Sequence, residues 1–139
     1  MSDKLLIRIG EGKDADALVK FNIAMAWETE QKRLSPDVVA RGVRTLLSNL
    51  RHGFYVVAEV NREVVGSLMV TYEWSDWRDA VFWWIQSVYV QPEHRKQGVF
   101  RRLYGFVKEK ASRETKICGL RLYVEQDNNA AQNTYERIG

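Results

Sequence analysis

The stretch Ala80–Val90 (AVFWWIQSVYV) constrains this chain more than any other. Read as a β-strand, it is apolar on both alternating faces for most of its length. Phe82, Trp84 and Val88 fall on one face, and Trp83, Ile85 and Tyr89 on the other. A strand buried on both faces belongs inside a sheet that helices cover. Its uninterrupted apolar run, Ala80–Ile85, is far too short to cross a bilayer, so the burial is that of a protein core.

The segment after this strand is equally telling. Val88-Tyr89-Val90 runs into a short polar turn opened by Pro92, and an amphipathic helix is entered at Gly98. The first N–H groups of a helix have no partner within it, and the helix dipole places about +0.5 of a charge there. Arg95, Lys96, Arg101 and Arg102 add full charges around that end, so the turn is a candidate seat for a phosphate-bearing ligand. The net charge of +3 is otherwise spread along the chain. Nucleic-acid binding needs a broader basic stripe, whereas a local patch suits one polyanionic small molecule. A DNA- or RNA-binding module is the weaker reading, and neither a nucleic-acid nor a membrane partner is expected.

The rest of the chain supplies the partners that the central strand requires. Lys4–Ile9 reads as a first strand. Asp14 is placed to cap a helix over Ala15–Gln31 with Leu18, Phe21 and Met25 on one face. Ser35-Pro36-Asp37 opens a second helix carrying Val39, Val43, Leu46 and Leu50, which Gly53 ends. Phe54–Val60 and Val64–Tyr72 form a hairpin across a three-residue connection, Asn61-Arg62-Glu63. After the glycine turn the helix buries Val99, Leu103, Phe106 and Val107. Ile117–Glu125 then alternates, with Cys118, Leu120, Leu122 and Val124 as its apolar row, and Asp127-Asn128 caps a last helix. The fold class is α+β with one βαβ crossover, in a single domain over 1–139. A single cysteine excludes an internal disulfide and fits a reducing cytoplasm. Met1-Ser2-Asp3-Lys4 lacks a secretory pattern.

Two segments carry a family resemblance. Arg95-Lys96-Gln97-Gly98-Val99-Phe100 resembles the Arg/Gln-x-x-Gly-x-Gly/Ala pyrophosphate motif of the GNAT superfamily of N-acetyltransferases, with Phe100 replacing the last Gly or Ala. Asn128 to Gly139 is similar throughout to the family pattern Asn-x-x-Ala-x-x-x-Tyr-x-x-x-Gly. The resemblance implies a GNAT fold, a mixed and mostly antiparallel central sheet flanked by helices. It also implies acetyl-CoA as cofactor and an amine as acceptor. The closing strands that the family adds after its last helix are expected to be absent, because the chain stops at Gly139. Whether a homodimer forms is left open.

The same resemblance assigns roles. The cofactor would lie along Val88, Tyr89 and Val90, with an N–H near Val88 polarising the acyl carbonyl. Its pyrophosphate would take N–H groups from Gln97, Gly98, Val99, Phe100 and Arg101, supported by Arg95, Lys96 and Asn128. Phe100 would have to point into the helix packing. Tyr135 resembles the family tyrosine that protonates the departing thiolate. Some relatives carry a glutamate where Gln86 stands; a glutamine cannot take a proton, so either a base comes from Glu28, Glu30 or Glu73, or the amine arrives already neutral. Glu28, Glu30, Trp74 and Gln86 are the candidate acceptor-binding residues, since carboxylates and a ring face suit a cationic amine. No metal is expected, and His52 and His94 are read as surface residues. A CoA-binding regulatory domain without catalysis is the alternative, motivated by Gln86, Phe100 and the expected absence of the closing strands.

Overall fold

The computed structural model describes residues 4–122. The helix expected after Asp127, with Asn128 and Tyr135, and the expectation about closing strands lie outside the described residues. Strand β1 (Leu5–Ile9) leads through a 3-10 turn at Gly12–Asp14 into α1 (Ala15–Glu30), followed by α2 (Pro36–Ser48). Then come β2 (Gly53–Val60), β3 (Glu63–Ser75), β4 (Ala80–Val90), a 3-10 turn at Pro92–His94, α3 (Val99–Ser112) and β5 (Ile117–Leu122). The strands form one sheet in sequence order, antiparallel from β1 to β4 and parallel between β4 and β5. This is the mixed, mostly antiparallel α+β sheet that the sequence predicts, and β4–α3–β5 is the crossover.

Local chemistry sets most boundaries. Ser35 Oγ accepts the Val38 N–H at 3.4 Å, and Pro36 sits where a helix needs no donor. Asn61 and Arg62 adopt φ of 51° and 66°, so β2 and β3 close through a two-residue turn rather than three, the backbone that suits the strand twist. Asp14 is the N-cap residue of α1, but its side chain accepts no N–H from that helix. Its carboxylate turns back to accept the Glu11 N–H at 2.7 Å and two Arg8 donors at 2.8 and 2.9 Å. Leu50 falls beyond the end of α2 and is exposed, and Leu47 packs in its place.

Two cores sandwich the sheet. On one face Val99, Leu103 and Val107 of α3 pack on Phe54, Val56, Leu68, Val70, Trp83 and Ile85. On the other, Leu18 of α1 and Val43 and Leu46 of α2 cover Tyr55 and Val57. Strand β4 contains an irregularity that its sequence does not announce. Ser67 pairs with Tyr89 and Met69 with Gln86, so Ser87 and Val88 stand opposite Leu68 alone. Ser87 takes φ +53°, and the extra residue marks a β-bulge. The bulge reverses the alternation expected from the sequence. Val88 joins the α3-side core, while Tyr89 meets Phe21 of α1, with ring centroids 5.2 Å apart.

Candidate active site

Helix α3 opens with no side-chain cap at Gly98, which has φ 81° and ψ 12°. Its first internal bond runs from the Arg102 N–H to the Gly98 carbonyl at 3.1 Å, so the N–H groups of the first turn face out of the helix end. A Cβ on Gly98 would meet no atom within 4 Å, so the glycine borders open space. Its conformation would cost an L-residue about 1–2 kcal/mol. Exposed Lys96 and Arg101 flank this end. Space, outward N–H groups and cations together fit a diphosphate. Phe100 does not block the mouth, because its ring packs toward the α3-side core and lies 6.2 Å from the Tyr104 ring. Arg102 is drawn elsewhere and donates to the Leu5 carbonyl of β1 at 3.2 Å. Gln97 donates its side-chain amide to the Glu93 carbonyl at 3.1 Å and so braces the turn.

Arg95, first residue of the motif, ties three elements together. Its Nε donates to the Val90 carbonyl at 2.8 Å, and its Nη2 donates to Glu28 at the end of α1 at 3.1 and 3.3 Å. The guanidinium also lies 5.3 Å from the Tyr89 ring centre. Burial, with Glu28 acting as hydrogen-bond partner and as nearby charge, pushes the Tyr89 hydroxyl up to about 12. Tyr89 therefore stays protonated at neutral pH. The structure thus brings Glu28, Tyr89, Val90 and Arg95 together beside the mouth of α3.

The strand register decides what else faces this region. Gln86 shares the α1 face of the sheet with Met69, Thr71, Glu73, Phe82 and Trp84, and its amide donates to Thr71 Oγ1 at 2.7 Å. Trp74 pairs with Val81 and, by alternation with Tyr72 and Val70, projects on the α3 face. It cannot share a site with Gln86, a correction to the grouping that the sequence suggests. Glu73 is opposite Phe82, five residues from Ser87, or about 16 Å along the strand, too far to act directly as a base beside the bulge. Glu30, the last residue of α1, is exposed. Cys118 is exposed rather than core, because the β4–β5 register shifts between Val81 and Phe82 and leaves it unopposed. The one sequence signal of the bulge is the polar pair Gln86-Ser87 inside an apolar strand, and alternation alone passes over it.

A separate cleft of about 640 Å³ lies between α1 and the β2–β3 turn. The charges that line it balance, Arg8, Lys13, Lys20 and Arg62 against Asp14, Asp16, Glu59 and Glu63, and Arg8 bridges buried Asp14 and half-buried Glu59, so it reads as structural. Burial pushes the Asp14 carboxyl up, but the Arg8 and Glu11 hydrogen bonds outweigh it and leave the group below its ordinary value.

Comparison with known proteins identifies the family of this fold. The model of the Acetyltransferase (GNAT) family matches residues 21–139. The chain belongs to the GNAT acetyltransferase family. A protein from Clostridium difficile 630 described as a possible acetyltransferase is 46% identical, with a TM-score of 0.90 over 96% of this chain and 88% of that one. Two distant structures share the fold. An aminoglycoside N-acetyltransferase in complex with CoA is 13% identical, with a TM-score of 0.79 over 100% of this chain and 89% of that one. Ribosomal-protein-alanine N-acetyltransferase from Brucella melitensis biovar Abortus 2308 is 18% identical, with a TM-score of 0.78 over 98% and 91%. No curated protein matches the chain in a sequence search. This GNAT acetyltransferase uses acetyl-CoA, as its family does, and the open end of α3 fits the cofactor's diphosphate. Among the described residues no helix is long and apolar enough to cross a membrane.

Proposed function

We propose that this GNAT acetyltransferase passes the acetyl group of acetyl-CoA directly to a primary amine of a small molecule or protein, in the cytoplasm. The observation that carries the reading is the uncapped entry to α3 at Gly98, next to the bulged strand and the Arg95–Glu28 pair. Bound acetyl-CoA supplies an activated acetyl group, and the remaining work falls to side chains and backbone. The amides of Gln97 to Arg101 and the charges of Arg95, Lys96 and Arg101 hold the diphosphate. The bulge at Ser87–Val88 turns backbone groups out of the β3 ladder, where an N–H can polarise the acyl carbonyl.

An ordinary alkyl amine has a pKa of about 10.4, and presenting it neutral at pH 7 costs roughly 4–5 kcal/mol. Gln86 can orient the amine as hydrogen-bond acceptor but cannot take its proton. Glu28 lies on the α1 side beside Tyr89 and would accept it once its bond to Arg95 loosens. Tyr135 is proposed as the acid for the departing sulfur, and Asn128 as a further cofactor contact. The two distant fold relatives act on an aminoglycoside and on a ribosomal protein alanine, and both acceptors are amines.

The test joins binding with turnover. Calorimetry should show CoA binding to the wild type and its loss in Gly98→Glu, which puts bulk and negative charge in the cradle. Free-thiol release should require an amine and yield an N-acetyl product by mass spectrometry. Tyr135→Phe should lower turnover by about 10²-fold with CoA affinity nearly unchanged. Tight CoA binding without turnover on any amine would instead favour a regulatory CoA-binding domain.

A further inference from the structure

The far end of the same sheet face, away from the bulge, carries an unusual gathering of charge and ring. The Arg121 guanidinium lies 3.9 Å from the centre of the Phe82 ring, and the Arg78 guanidinium 5.2 Å from it. Glu73, opposite Phe82, receives the Trp84 indole N–H at 2.5 Å and faces Arg121 at 3.6 Å. Arg121 and Glu73 are each about two-fifths exposed, at 41% and 42%, so the group opens to solvent. Gly119 makes it possible, because a Cβ there would come within 2.9 Å of the Phe82 ring.

The two guanidinium groups have few carboxylates in direct contact. Glu73 is the one carboxylate within 4 Å of Arg121 among the described residues, and none lies within 4 Å of Arg78. The neighbouring Asp79 is held by Lys116 at 3.2 Å. Arg78 is thus the guanidinium with no carboxylate in direct contact among the described residues, although Asp76 belongs to the same turn. The rim of an aromatic ring is also its positive part, so Phe82 favours an anion at its edge. A cationic substrate end would be repelled, whereas a carboxylate can take guanidinium donors in pairs.

Resting on the proposed function, in which the amine is acetylated beside the bulge, we propose that the acceptor is an extended amine with a remote carboxylate, received by Arg78 and Arg121 at the edge of Phe82. Phe82 lies five residues from Ser87, so amine and carboxylate are separated by about 10–16 Å. A peptide N-terminus with an acidic side chain about four residues on satisfies this, and so does a long ω-amino acid.

The experiment uses C-terminally amidated pentapeptides Ala-Gly-Gly-Gly-X, with X as Glu, Gln or Lys, and 8-aminooctanoate beside octylamine. Acetylation kinetics are read together with quenching of tryptophan fluorescence on peptide binding. The Glu peptide should show a KM about tenfold below that of the Gln peptide, with kcat alike and Lys weakest. The Arg78→Gln/Arg121→Gln double variant should erase that difference while leaving CoA affinity and the Gln-peptide KM unchanged. Whether the advantage goes with the peptide or with the ω-amino acid names the source of the carboxylate. Equal binding of Glu and Gln acceptors, or a preference for Lys, overturns the proposal. A Glu preference in binding with no acetylated product overturns the amine-transfer reading alone.

Discussion

At the scale of single residues, Arg95 shows why a motif letter is not yet a contact. Its charge counts toward the proposed phosphate seat, but its fork is committed to Val90 and Glu28. Lysine keeps the charge and loses the fork. Arg95→Lys should therefore weaken CoA binding about three- to tenfold by calorimetry; an unchanged Kd would mean that charge alone matters. Asp14 offers a pH test. Its carboxyl is held below the ordinary value, so it contributes stability that is present above the unfolded pKa near 4 and is lost as pH falls through the lower folded value. Asp14→Asn should cost about 2 kcal/mol in urea unfolding at pH 7, because it removes the charge-assisted bonds from Arg8, which keeps its bond to Glu59, and the gap to wild type should narrow below pH 4. A gap independent of pH would remove the ion pair from the account.

At the scale of elements, the β4–β5 pair depends on close approach. Gly119→Val should push the Phe82 ring off the strand and destabilise the fold by about 1–3 kcal/mol, measured by denaturant unfolding. Wild-type stability would show that the ring has somewhere else to go. Nearly every described element is legible in the sequence, since Ser35-Pro36, Gly98 and the two-faced apolar run of β4 each act locally. Features that depend on pairing are not. The bulge at Ser87 and the register shift beside Cys118 are set by neighbouring strands, and either one flips which side chain faces which layer. For the same reason sequence alone groups Trp74 with Gln86, although the register sends it to the other face. The two-residue turn at Asn61-Arg62 is hidden because arginine rarely takes φ of 66°.

At the scale of the whole molecule, the site forms where three separately stabilised parts meet. The end of α1, the bulged end of β4 and the bare start of α3 are joined through Arg95, while the two cores lie on opposite faces of the sheet. The proposed phosphate seat can be read from the sequence because a glycine, its cations and a helix start are neighbours in the chain. The charged ring at Phe82 cannot, because Arg78, Phe82 and Arg121 come from a turn and two strands. In the proposed mechanism the first amides of α3 receive the cofactor's diphosphate. Titrating 15N-labelled protein with CoA and tracking each backbone amide tests it most directly. The largest shifts should fall on Gln97, Gly98, Val99 and Arg101; saturable binding that leaves these four unmoved and shifts another surface would contradict it.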